Sequence, residues 1–175
     1  VMTVVPLGSF KDTILTYNPP EANATVSIIL RFVTTHKTFS RQRLKLHLPG
    51  FYRLTSNPLS YLQFYSTPDG IFDTAQWDAA TETIAIVVGK TELSRDTFIT
   101  LVIASSSGIR LPEDGVLENQ ETLTLQLDQS SAPMDPMPIS TSSGLGANTF
   151  RFGNTSMSFS NFAAGKPTAI TFEFS

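Results

Sequence analysis

KTFSRQRLKLHL, residues 37–48, ends one alternating strand and opens the next. Before it, VSIILRFVTT (26–35) sets Val26, Ile28, Leu30 and Phe32 on one face, with Ser27 and Arg31 on the other. Behind it, Leu44, Leu46 and Leu48 alternate with Lys45 and His47. The phrase has two echoes, KTELSRDTFITLVI at 90–103 and NFAAGKPTAITFEF at 161–174. Each has a hydrophobic residue (Phe39, Leu93, Phe162), a short polar step holding Arg41, Arg95 or Gly165, and then an alternating strand. The step is longer than a two-residue hairpin, which predicts a connection that arches between two sheets or wraps an edge. Charge does not recur, because Gly165 stands where the other copies have arginine. The stretch reads as a joint in a scaffold.

Working outward, the same period of two recurs along the chain. It appears at ILTY (14–17), at Leu62 and Phe64 between Tyr61, Gln63 and Tyr65, and at Ile84, Ile86 and Val88. Ile99, Leu101 and Ile103 follow, then Leu123, Leu125 and Leu127. Shorter pairs are Phe150 with Phe152 and Met157 with Phe159, and Ile170, Phe172 and Phe174 finish the series. That predicts about ten strands. Helical periodicity is nearly absent, with DTAQWDAAT (73–81) and LENQE (117–121) as candidates for a short helical turn. NPP (18–20), PDG (68–70) and PEDG (112–115) punctuate the strands. The pattern predicts a single all-β domain, an Ig-like antiparallel β-sandwich, with a jelly roll as the nearest rival. Residues 14–175 form the sandwich in this reading, and 1–13 an N-terminal segment. The stretch 130–148 is rich in Pro, Ser, Thr and Gly and reads as a long exposed loop, not a central strand.

Composition narrows the function classes. Of 175 residues only 15% are charged, the net charge is −3 and the pI is near 5.3. Such a chain offers no field for nucleic acid or an anionic membrane surface. Its apolar runs are strand-length, so no membrane insertion is expected, and no signal-peptide pattern is visible. The absence of cysteine removes disulfides, thiolate catalysis and Cys-based metal sites.

The order of phrases carries a resemblance. LRFVTTHKTFSRQRLKLHLPGF, QWDAATETIAIVV, GIRLPEDGVLENQETLTLQL and MSFSNFAAGKPTAITFEFS follow one another between about residues 14 and 174. In that order they resemble the tandem Ig-like β-sandwich modules of very large extracellular proteins of algae and other protists. The resemblance implies an extracellular or cell-surface home in a coat, wall or fibre, glycosylation, self-assembly with neighbouring modules, and no active site. It leaves open whether the chain is one repeat of a longer protein or a subunit that polymerises.

Candidate residues follow. Asn23-Ala24-Thr25 and Asn154-Thr155-Ser156 are glycosylation sequons, which makes Asn23 and Asn154 acceptor candidates. Pro19, Pro20, Pro133, Pro136 and Pro138 either stiffen turns or, in an algal wall, carry hydroxylation and glycans. Asp69, Asp73 and Asp78 supply oxygen ligands of the kind Ca²⁺ takes, but their spacing matches no EF-hand and Asp in turns usually caps its own backbone, so no metal is expected and they are a weak calcium candidate. No cofactor is expected. His36 and His47, without a G-x-S-x-G elbow, read as surface histidines and not as a triad or zinc site. Trp77, Tyr61 and Tyr65 are candidates for stacking on sugars, with Trp77 read first as a core plug. Val1, Met2, Thr3, Val4 and Val5 form a short apolar segment that either completes a neighbouring module's sheet or forms an edge strand of its own domain. The function expected is therefore a non-enzymatic structural module. A carbohydrate-binding or adhesion module is the alternative.

Overall fold

A computed structural model describes residues 10–35, 37–38, 40–54, 59–90, 92–128, 135–144, 155–159 and 170–174, with residues 59–60 and the last two stretches described as backbone. The strands of the first half are β1 (Phe10–Asn18), β2 (Ser27–Thr34), β3 (Arg43–His47), β4 (Tyr52–Arg53), β5 (Leu59–Tyr61), β6 (Phe64–Thr67), β7 (Phe72–Asp78) and β8 (Thr83–Val88). Those of the second half are β9 (Phe98–Ile103), β10 (Ile109–Arg110), β11 (Thr124–Asp128), β12 (Met137–Pro138), β13 (Thr141–Ser142), β14 (Thr155–Phe159) and β15 (Ile170–Phe174). One 3₁₀ turn, Ser105–Ser107, is the sole helical element among the described residues.

Two sheets enclose the core. A five-stranded sheet runs β13-β1-β2-β9-β6, and a six-stranded sheet runs β12-β11-β3-β8-β7-β5. All pairings are antiparallel except that of β13 with β1. The inward faces follow the alternation in the sequence: Ile28, Leu30 and Phe32 from β2 and Ile99, Leu101 and Ile103 from β9 are buried. Across from them lie Leu44 and Leu46 from β3 and Ile84, Ile86 and Val88 from β8. The chain is thus a β-sandwich in which each sheet hides one apolar face against the other.

The arches explain the repeat. β2 leaves the five-stranded sheet and continues as β3 in the other, while β8 leaves the six-stranded sheet and returns as β9. Since β2 pairs with β9 and β3 with β8, the two strand pairs interlock at the centre of the sandwich. The two echoes also meet. Thr38 and Leu93 form a β-bridge, with Thr38 N donating to Leu93 O at 2.9 Å and Leu93 N to Thr38 O at 3.0 Å. Leu93 is buried as expected, and the buried partner on the first arch is Thr38. Phe39, Phe162 and the third echo lie outside the described residues, apart from β15.

Several expectations are corrected. Residues 61–65 are not one strand: β5 pairs with β7 in one sheet, Leu62 and Gln63 cross the open side, and β6 pairs with β9 in the other. Gln63 anchors this crossing, accepting from Ala104 N at 2.9 Å and donating its own N–H to Ser107 Oγ at 2.9 Å. The opposite side closes in the same way. The segment 137–142 pairs first with β11 and then with β1, so part of the expected exposed loop buries Ile139 and Ser142. A bulge between Lys11 and Ile14, with Asp12 at φ 54°, turns Thr13 inward. Its hydroxyl accepts from Ser140 N at 2.7 Å and donates to Ser140 Oγ at 3.0 Å. β1 therefore starts at Phe10, itself a core residue, and residues 10–13 belong to the sandwich. Residues 73–78 are strand and not a helical turn, because pairing along β8 overrides their weak helical pattern. Residues 117–121 make irregular turns. The expected count of about ten strands is exceeded by β7 and by these short edge and end strands.

Candidate functional site

At the arch end of the sandwich the backbone forces an uncommon choice of residue. Arg41 sits at φ 67°, where its N–H donates to Val88 O at 2.9 Å while Val88 N donates to Gln42 O at 2.9 Å. The left-handed conformation costs a residue with a Cβ about 1 kcal/mol or more, and glycine tolerates it freely. Gly165 occupies the matching place in the third echo. The second arch likewise places a residue with a Cβ in this conformation, Asp96 at φ 58°.

Arg43, two residues on, opens β3 on the outward face. Its cross-strand neighbour Asp128 turns instead to Lys45, with Nζ to Oδ2 at 2.8 Å. Two other cations of this end are neutralised, Lys11 by Asp96 at 2.8 Å and Lys37 by Glu92, whereas Lys90 on the second arch is exposed without an ion pair among the described residues. Lys11 holds the Asp96 carboxyl below its ordinary range. Arg41 and Arg43 are exposed and have no ion-pair partner among the described residues. With Ser40, Gln42 and Asp128 they line an open concavity of about 460 Å³. Two guanidiniums, a hydroxyl and an amide suit a carboxylate or another oxyanion.

The other end of the sandwich has the opposite character. The segment PEDGVLENQE (112–121) carries Glu113, Asp114, Glu118 and Glu121, all exposed, with Leu117 exposed between them. None of the four carboxylates joins an ion pair among the described residues. Asn119 fixes this turn: its N–H donates to Ser142 O at 3.2 Å and its Oδ1 accepts from Ser142 N at 2.9 Å. Gly144 lets the chain pass close by, since a Cβ there would stand 2.4 Å from Glu118 N. The sequence reading took PEDG for a turn alone and discounted the arginines. The signal for the arginines was the Arg-for-Gly difference among the echoes, and for the acidic end it was four carboxylates in nine residues with no basic residue among them.

The residues singled out in the sequence scatter over the fold. Trp77 is 1% exposed on the inward face of β7, so it is a core plug and cannot stack on a sugar. Its Nε1 finds no acceptor among the described residues. Tyr61 and Tyr65 are exposed at 68% and 61%, on strands of different sheets. Asp73 and Asp78 lie near opposite ends of β7, about 17 Å apart at strand rise, and cannot share an ion. Asp78 instead caps its own turn, accepting from Thr81 Oγ1 at 2.9 Å and Ala80 N at 3.0 Å, and these bonds lower its pKa. Asp69 accepts from Gly70 N at 2.9 Å, and no metal-holding group of three or more His, Cys, Asp or Glu occurs among the described residues.

Asn23 is exposed in a turn at φ 57°. Its Oδ1 accepts from the Tyr52 hydroxyl and from Arg110 Nη1 at 3.3 Å. Pro19 and Pro20 are exposed beside it, His47 is half-buried on the outer face of β3, and Pro136 and Pro138 are exposed. Val1, Met2, Thr3, Val4, Val5, His36, Pro133 and Asn154 lie outside the described residues. No helix among the described residues is long and apolar enough to cross a membrane. Comparison with protein-family models, with curated proteins and with solved structures finds no match.

Proposed function

We propose that the chain is a non-enzymatic structural module of an extracellular coat or fibre, joined to copies of itself or to neighbouring modules through its surface. One observation carries this reading. In the β14–β15 hairpin the register sets Met157 opposite Phe172 and Phe159 opposite Ile170, with Ser156 opposite Glu173 and Ser158 opposite Thr171. Apart from Thr155, which stands opposite Phe174, strand alternation therefore segregates apolar from polar positions, and the hairpin pairs with no other described strand. A two-stranded sheet is marginal alone in water and needs a surface to cover its apolar side. The order of phrases shared with the extracellular modules supports the same reading, as does the exposed sequon at Asn23.

Purified chain, followed by sedimentation and electron microscopy over rising concentration, should form filaments or higher oligomers. A monomer at every concentration rejects the proposal. Deleting residues 1–9 tests the donor-strand idea for Val1–Val5, and intact assemblies after the deletion sink it. A carbohydrate-binding role has one observation in its favour, the exposed Tyr61 and Tyr65. Tyr61→Ala with Tyr65→Ala should then abolish binding on a glycan array and leave the fold intact. Unchanged glycan binding removes that role from the tyrosines.

A further inference from the structure

We propose that the Arg41–Arg43 concavity of one copy receives the acidic 112–121 turn of another, joining modules head to tail. The inference rests on the reading of the chain as an assembly module and names the surface that does the joining. It starts from charge placement. Arg43 opens β3 at the arch end, whereas Thr124 meets His47 at the far end of that strand, just after the acidic turn. The two surfaces thus lie at opposite ends of the sandwich, and a chain cannot bring its own turn to its own arginines.

The chemistry of the two surfaces matches. The concavity offers two exposed guanidiniums without ion-pair partners among the described residues, and Asp128 within it is occupied by Lys45. The turn offers Glu113, Asp114, Glu118 and Glu121 without cationic partners among the described residues. Guanidinium and carboxylate form two-pronged hydrogen bonds, which fix orientation as well as attraction. Leu117 at 74% exposure supplies an apolar contact for the methylene stems of the arginines. Both surfaces are held in shape, Arg41 by the Val88 hydrogen bonds and the turn by Asn119 and Gly144. Little ordering is then needed at contact.

The geometry has a defined symmetry. Different surfaces meet, so the contact is heterologous, and each new copy presents the same free pair of ends for open-ended growth. Two loops bury less than the roughly 1,200 Å² of a standard interface, so each joint is weak and relies on charge. Weak, charged joints dissolve as salt shortens the reach of each charge from about 30 Å at 0.01 M to about 3 Å at 1 M.

Sedimentation of the full chain in salt of about 0.01 M and about 1 M tests the joint. The parent should associate at low salt and fall at least tenfold in association constant at high salt. The paired variant Arg41→Glu/Arg43→Glu and the paired variant Glu113→Lys/Asp114→Lys should each be monomeric. Mixed, they should assemble again, because the intact acidic turn of the first meets the intact arginines of the second, and the reversed charges at 113 and 114 of the second meet those at 41 and 43 of the first. Arg41→Gly with Arg43→Gln, which suits the backbone at 41, guards against misfolding as the cause and should also be monomeric. If the parent assembles and the variants assemble equally well, this joint is wrong and the assembly reading stands. If the parent is monomeric throughout, both fall. A monomeric parent that binds immobilised polygalacturonate through Arg41 and Arg43 assigns the arginines to an acidic glycan and also overturns the joint.

Discussion

Tyr17 shows how one hydroxyl can count against the fold that buries it. Its ring is 5% exposed and packs on Phe51 with centroids 5.4 Å apart, yet its hydroxyl has no partner among the described residues. A buried hydroxyl without a hydrogen bond forfeits the bond it made to water, so Tyr17→Phe should raise stability by about 1 kcal/mol, read from urea midpoints. Burial also pushes the phenol pKa well above 10. Below pH ~10 the phenol is neutral in both states and its contribution is whole. As pH rises past that value the unfolded tyrosine ionises and the folded one does not, so stability falls with rising pH. The gap in stability between Tyr17→Phe and the parent should therefore widen between about pH 9 and pH 11, and a constant gap would refute the account. Trp77 is the contrasting case. Its indole is buried in the core from β7, and Trp77→Ala should cost about 3–5 kcal/mol in the same measurement.

The arches carry the next level of organisation. Leu93, at 4% exposure, packs among Phe10, Phe32, Leu44, Phe72, Val88 and Leu127 around a space too tight for a water. Leu93→Ala should enlarge that space at a cost of about 3 kcal/mol, with the loss appearing in thermal unfolding. How much of this could be read beforehand depended on the element. Period-two alternation located β2, β3, β8, β9 and β11, because each hides one face and shows the other. The echo of KTFSR in LSRD pointed to connections that either arch between sheets or wrap an edge, and both are arches. Alternation could not say that 61–65 splits between sheets, since the period is unbroken from Tyr61 to Tyr65 and only their partners differ. Nor could it expose the role of Thr38, where burial comes from a bridge 55 residues away in the chain. The candidate site was legible only in part, because the freedom of Arg43 depends on Asp128 choosing Lys45 across the sheet.

At the scale of the molecule, the interlock makes the two sheets one unit. β2 and β3 are consecutive but lie in different sheets, as are β8 and β9, so neither sheet can be completed without the other. Unfolding monitored by tryptophan fluorescence and by far-ultraviolet dichroism should then give one transition with a shared midpoint, and separated midpoints would contradict it. The two chain segments that switch sheets, 59–67 and 137–142, have a consequence of their own. They leave edge strands of only two to four residues on both flanks, β12 and β13 on one side and β5 and β6 on the other. Long bare edges are what lets crowded β-proteins fuse into aggregates. A sandwich hemmed along both flanks can stand close beside copies of itself at high density without fusing edge to edge.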